Sequence, residues 1–306
     1  GIQHYPLNVN DIFLTASTSE AYGLLFRLLA DPGDNVLFPA PSYPLFQYFV
    51  DLNDLEMRQY AVDVGTGRID WKQFEAQLSS KTRAIVIVNP NNPTGKYLHP
   101  DDLARLNKVC VSSSIPLICD EVFFEYHLTD APKTRLATNP VLTFTLGGLS
   151  KLLAMPQMKL AWMILSGPED EVDEAKKRLE VIADTYLSTN TPVQNAVLDW
   201  LSDWQEIQGK VHQRVCANLQ KLEEVLVGTG VQTNQPDGGW YCVLKFNRKV
   251  DDESFVLELL DQKHVYVYPG YFFDLEGHVV MSLLAPEDGF SEGIDRFIQM
   301  WGEKAG

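Results

Sequence analysis

The chain has 306 residues, 45% of them hydrophobic, and 41 acidic residues against 25 lysines and arginines leave a formal charge of −16. That is enough chain for one large domain and a smaller one, and the charge opposes binding to nucleic acid or to an anionic membrane. No apolar run approaches the roughly 20 residues that cross a bilayer, and no signal peptide is expected.

The opening residues from Gly1 read as the interior of something longer, so trimming or cleavage is expected. Ile12–Thr15 reads as a short strand, Ala16–Ser19 as a hydroxylic turn, and the segment from Glu20 has helical periodicity until Asp31-Pro32-Gly33-Asp34 stops it. A strand over Asn35–Pro39 precedes Pro41-Ser42-Tyr43-Pro44, followed by a helix over Leu45–Leu52, a strand over Glu56–Val62 and a helix over Trp71–Leu78. Arg83–Val88 is an apolar run of the kind found in a parallel sheet covered on both faces, and it ends in Asn89-Pro90-Asn91-Asn92-Pro93-Thr94-Gly95. A helix over Pro100–Ser113 and a strand over Ile115–Cys119 lead to Asp120-Glu121. Val141–Leu146 is the next strand. It ends in a glycine turn, Gly147-Gly148, that presents Ser150 and Lys151, and a strand over Leu160–Leu165 follows.

Helices are expected over Glu169–Thr185, Val193–Trp204 and Ile207–Val227. The pattern then changes to strands at Val231–Asn234, Trp240–Phe246, Val265–Tyr268 and His278–Leu284, with helices at Glu253–Lys263 and Phe290–Trp301. The fold class is therefore α/β: a mostly parallel sheet covered by helices in residues 1–205, and a smaller α+β domain in residues 206–306.

Cys110, Cys119, Cys216 and Cys242 form no CxxC and sit in or beside apolar sequence, which suggests reduced core residues and a cytoplasmic protein. The six histidines, His4 among them, show no metal-ligand spacing, so no structural metal is expected.

The chemically capable residues recur at the carboxyl ends of strands, where open α/β sheets bind ligands. Ser17–Ser19, Tyr43, Asn89–Asn92, Asp120 and Lys151 could thus share one crevice. Pyridoxal phosphate (PLP) is the economical joint explanation. A helix start at Thr18–Glu20 suits a phosphate. Asp120 can keep a pyridine nitrogen protonated so that the ring acts as an electron sink. Asn92 can donate to the ring oxygen, and Tyr43 can cover a ring face. Lys151 can form a Schiff base and then move the α-proton of the substrate.

At these residues the chain resembles the fold type I PLP enzymes, in the class I/II aminotransferase branch. NPNNPTG at Asn89–Gly95, DEVF at Asp120–Phe123 and GLSK at Gly148–Lys151 carry the resemblance, with looser matches at Thr15–Ala21 and Pro41–Pro44. The resemblance covers nearly the whole chain. It implies the Schiff base at Lys151, the pyridinium partner at Asp120, the ring-oxygen donor at Asn92 and stacking at Tyr43. It also implies phosphate contacts at Thr18, Ser19 and Ser150, with Lys159 where the family usually has an arginine. A homodimer is implied, with a small-molecule amino donor and a keto acid acceptor.

The chain departs from the family at three points. Phe123 stands where the family has a tyrosine, with Tyr126 nearby but out of register. Val280 stands where the family has the arginine that clamps the substrate carboxylate. The family's N-terminal segment is not in the chain. These departures keep two alternatives open: a C–S β-elimination lyase and a non-catalytic PLP-binding homologue.

Blander readings accompany these. Asp120-Glu121 and Gly95-Lys96 invite a P-loop NTPase, but Pro90 stands where that loop needs glycine and Tyr97 where it needs serine or threonine. The asparagines of Asn89–Asn92 are ordinary turn formers. Thr189-Asn190-Thr191 could reach a partner's phosphate or simply cap a helix. Trp240 and Phe272 could line the substrate pocket, but core of the smaller domain is the favoured reading.

Overall fold

The computed structural model describes residues 7–303; His4 and the Gly1 opening lie outside them. The first half alternates strands and helices: β1 (Ile12–Thr15), α1 (Thr18–Leu29), β2 (Asn35–Ala40), α2 (Phe46–Asp51), β3 (Glu56–Ala61), α3 (Trp71–Gln77), β4 (Thr82–Val88), α4 (Pro100–Ser113), β5 (Leu117–Asp120), β6 (Thr143–Gly148), α5 (Leu149–Leu152) and β7 (Ala161–Ser166). These strands form one seven-stranded sheet in the order β1-β7-β6-β5-β4-β2-β3. Strands β2 to β6 pair in parallel, whereas β7 runs antiparallel to both β6 and β1.

Alternation within β4 accounts for burial on both faces. Ala84, Val86 and Val88 join Phe26, Phe38 and Leu179 in one core cluster, while Ile85 and Ile87 join Phe74, Leu106 and Cys110 in another. Helix α4 begins on Pro100, whose missing N–H costs nothing at that position, and ends at Ser114 in the left-handed conformation (φ 52°).

Helices α6 (Glu169–Asp184), α7 (Thr191–Ser202) and α8 (Trp204–Leu226) lead to a four-stranded antiparallel sheet. It contains β8 (Val231–Thr233), β9 (Tyr241–Phe246), β10 (Tyr268–Pro269) and β11 (His278–Ser282), in the order β10-β11-β9-β8, with α9 (Asp252–Lys263) and α10 (Glu287–Glu303) completing the chain. One face of this sheet packs Cys242, Leu244 and Met281 against Val215, Phe255 and Phe297 of the helices. The other face carries Val243 and Val280 with Phe273 and Leu275, and Tyr241 and Tyr268 pack against them.

Three expectations shift. The strand expected over Val265–Tyr268 pairs only at Tyr268 and Pro269, because α9 ends on a left-handed His264 (φ 56°) and Val265 still bonds back to Leu259. The apolar pattern there reflects burial of Val267 rather than ladder pairing. Gly147 and Gly148 are the last residues of β6 rather than a turn. A Cβ on Gly147 would lie 2.5 Å from Trp162 Nε1, so β7 can approach only a glycine there. Asn190 caps α7 by accepting from Val193 N at 3.0 Å, the helix-cap reading of that segment.

Among the described residues no helix is long and apolar enough to cross a membrane. The four cysteines are free; Cys110, Cys119 and Cys242 are buried and Cys216 is partly exposed.

Candidate functional site

The carboxyl edge of the large sheet opens into a cavity of about 570 Å³. Every site residue expected from the sequence lines it. Thr18 and Ser19 arrive from the end of β1, and Tyr43 from the end of β2. Asn92 follows β4, Asp120 is the last residue of β5, and Ser150 and Lys151 follow β6. Lys159 precedes β7. Because β7 is antiparallel, its amino end (Ala161) sits opposite the carboxyl end of β6 (Gly148), and this brings the residues before it to the same edge.

Local chemistry places each group. Ser17 Oγ accepts from Glu20 N at 3.1 Å, and Glu20 Oε2 accepts from Ala16 N at 2.6 Å, closing a reciprocal cap on α1. The backbone amides of the first turn, at Thr18 and Ser19, then lack intrahelical partners, as an anion site requires.

In the asparagine loop, Asn89 Oδ1 accepts from Leu98 N at 3.1 Å, and Asn91 Nδ2 donates to Pro41 O at 3.0 Å. Both are turn fasteners. Asn92 differs: its buried Oδ1 has no partner among the described residues, and it faces the cavity. Lys96, the residue that invited a P-loop reading, donates to Gln235 O at 2.7 Å and pairs with Asp237 at 3.3 Å, tying the two halves of the chain together.

Asp120 accepts from Val122 N at 3.1 Å and from the Tyr22 hydroxyl at 3.2 Å. Burial pushes its carboxyl up to about 6, against those two hydrogen bonds and the nearby Lys151 charge. The Lys151 amine is held below its ordinary value by burial, opposed by Asp120. Its Nζ lies 5.7 Å from the Phe123 ring centre and 5.6 Å from that of Trp240. The turn carrying it is tied down by Tyr126, whose hydroxyl donates to Lys151 O (2.9 Å) and Leu152 O (3.1 Å). Tyr126 is therefore committed to carbonyls and offers no phenol to the cavity.

Several lining residues were not foreseen. Tyr22 sits one helical turn after Thr18, so the i, i+4 spacing from an expected phosphate contact was an available signal. Tyr241 and Tyr268 come from the small sheet, and no pattern within the large domain announces them. Phe272, for which the small-domain core was favoured over pocket lining, does line the cavity and is 43% exposed, because it lies on a surface turn between β10 and β11. Trp240 is in that core, as expected, in T-shaped contact with Phe123 and Tyr126.

An amine with lowered proton affinity, a buried carboxylate and a cavity-lining amide, gathered at the carboxyl ends of parallel strands, define a site that fits pyridoxal phosphate. Comparison with known proteins places the whole chain. The family model "Aminotransferase class I and II" matches residues 3–295. Glutamate-pyruvate aminotransferase AlaA of Escherichia coli (strain K12) is 28% identical over 295 residues, covering 89% of this chain and 71% of that protein. The structure of alanine aminotransferase from Pyrococcus furiosus superposes with a TM-score of 0.89 at 27% identity, covering 96% of this chain and 77% of the other. Tyrosine aminotransferase from Leishmania infantum gives 0.88 at 26% identity, covering 96% and 74%. The chain belongs to the class I and II aminotransferases, PLP-dependent enzymes of fold type I, and its activity is transfer of an amino group between an amino acid and a 2-keto acid.

Proposed function

We propose that Lys151 is the catalytic residue of this aminotransferase, linked covalently through Nζ to the aldehyde carbon of PLP. The observation that carries this is the shared cavity of Lys151 and Asp120, in which the amine makes no ion pair among the described residues. Bound there, PLP supplies the electron sink that lets an amino-acid α-proton leave. Lys151 would take that proton, and its burial favours the neutral form that can do so. Asp120 holds positive charge on the ring nitrogen, and Tyr22 fixes the carboxylate that does this. Asn92 donates to the ring oxygen. Tyr43, 37% exposed at the cavity mouth, covers one ring face. The Thr18 and Ser19 amides, Ser150 and Lys159 hold the phosphate.

The same reading divides the chain into a PLP-binding unit over residues 1–205 and a smaller unit over 206–306, with α8 as the connection. A cytoplasmic location is supported by three buried free thiols. A homodimer is supported by exposed Leu187, Leu198, Tyr48 and Leu52, apolar surface that a second copy would cover.

The test is a single turnover. PLP-loaded protein given an amino donor and no acceptor is expected to release one equivalent of 2-keto acid as the cofactor absorbance changes. Sustained release of ammonia or sulfide without an acceptor would assign the chain to elimination chemistry instead.

A further inference from the structure

An amino acid and a 2-keto acid both carry a carboxylate beside the reacting carbon, and a carboxylate leaving water needs hydrogen-bond donors. The cations that line the cavity are Lys151 and Lys159. Under the reading above, on which this inference rests, both are engaged, one with the aldehyde carbon and the other with the phosphate. No arginine is among the described lining residues. Strand β11 presents Val280, fully buried against Val243, Phe273 and Leu275, and it offers an anion nothing.

Two phenols stand among the remaining donors, on either side of that valine. Tyr268 is the cross-strand partner of Val280 in β10, and Val243 is its partner in β9. Tyr241 lies two residues before Val243, so all four side chains share one sheet face. The Tyr241 and Tyr268 ring centres are 6.3 Å apart at 74°, and both rings line the cavity. Neither hydroxyl has a hydrogen-bond partner among the described residues, although both strands are well packed. Burial pushes the Tyr241 phenol up to about 12, with smaller contributions from Tyr268 and Tyr43, so it keeps its proton at neutral pH and can donate. The lining also carries the apolar side chains of Leu45, Phe49, Val122 and Phe272, and no lysine or arginine other than Lys151 and Lys159 is among its described residues. A second carboxylate would find no further cation among the described lining residues.

We propose that the Tyr241 and Tyr268 hydroxyls hold the substrate carboxylate, and that the amino donor is a monocarboxylic amino acid with an aromatic or large apolar side chain. A dicarboxylic donor is disfavoured because its second charge would be buried unpaired.

Two acids without an amino group test this apart from the chemistry. PLP-loaded full chain, its loading read from the cofactor absorbance, is titrated calorimetrically with 3-phenylpropionate and with glutarate. We expect 3-phenylpropionate to bind at least about tenfold more tightly. Tyr241→Phe and Tyr268→Phe should each weaken it roughly tenfold or more, the loss expected for a hydrogen bond to a charged group, while PLP occupancy is kept. In turnover the same variants should raise KM for a phenylalanine donor more than they lower kcat.

Glutarate binding as tightly as 3-phenylpropionate would overturn the proposal, as would wild-type affinity in both variants. Should a variant melt early, the wild-type ranking of the two acids still decides. Failure to take up PLP, or equal uptake by Lys151→Ala with unchanged absorbance, would overturn the assignment of Lys151 itself, which is a separate outcome.

Discussion

The large sheet brings Asp120, Asn92 and Lys151 to the cavity at, or within four residues of, a strand end, whereas the small sheet brings Tyr241, Tyr268 and, on the turn after β10, Phe272. The first set is ionisable or amide-bearing and buried deeply enough to shift proton affinities: the Asp120 carboxyl rises to about 6 and the Lys151 amine falls. The second set is neutral and aromatic, and its outermost ring is 43% exposed. On the proposed reading, one wall holds and polarises the cofactor and the other selects what reaches it. Parallel strands suit the first task because every carboxyl end points to one edge.

The largest effect should come from the deep wall. Lys151→Ala is expected to lower kcat by roughly 10⁴-fold, at the upper end of what one general acid–base group contributes, and to abolish the covalent cofactor absorbance with little change in melting temperature. Asp120→Ala should cost roughly a hundred- to a thousandfold in kcat, the scale of a lost electrostatic stabiliser, and should weaken PLP retention on dialysis. Unchanged turnover in either variant would erase the distinction between the two walls.

Asp120 also carries a stability cost with a definite sign. Its carboxyl rises from an ordinary 3.8 to about 6 in the folded chain because burial penalises the charge. The folded chain therefore binds that proton more tightly than the unfolded chain, and stability falls as pH rises between those two values. The shift is worth about 3 kcal/mol once the carboxylate is ionised. In cofactor-free protein, Asp120→Asn should thus be more stable than wild type at neutral pH by up to that amount, with the advantage shrinking toward pH 4. Urea melts at several pH values measure it. A pH-independent difference would mean that the carboxylate is not desolvated. This is the usual conflict between activity and stability at a functional site.

The rim should respond differently. Asp252 is buried, and its two oxygens accept from Tyr271 N at 2.8 Å and Gly277 N at 3.0 Å, bracketing the turn that carries Phe272. Asp274 on that turn accepts from Gln59 of β3 at 2.7 Å, which ties it to the large sheet. Asp252→Ala should cost about 2 kcal/mol in stability, the price of two unsatisfied amides, and should raise KM while leaving the cofactor absorbance intact. Loss of that absorbance would show that the two walls are not separable. The smallest effect is expected at Ser17→Ala, where removing the cap of α1 should cost about 1 kcal/mol in thermal or urea unfolding.

Local chemistry in the chain alone determined the strand ends and what stands on them. Apolar, β-branched runs such as Ile85-Val86-Ile87-Val88 read as doubly covered strands, and a polar residue just past such a strand sits at the sheet's edge. Thr18, Asn92, Asp120 and Lys151 were legible for that reason. The helix from Pro100 to Ser113 was legible to the residue because its proline start is a local signal.

What depended on distant partners was not legible. Tyr22 meets Asp120 across 98 residues. Tyr126 anchors the turn of Lys151 rather than facing the cavity. Gly147 proved to be a place where Trp162 comes close, not a turn. Phe272 looked like core because hydrophobicity records a tendency to leave water without saying which surface receives it. Only the antiparallel return of β7, which set Lys159 at the same edge, and the docking of the small sheet over the crevice, which set Tyr241 and Tyr268 there, decided what the cavity can admit. Those are choices of chain path over long sequence separations, and no local periodicity encodes them.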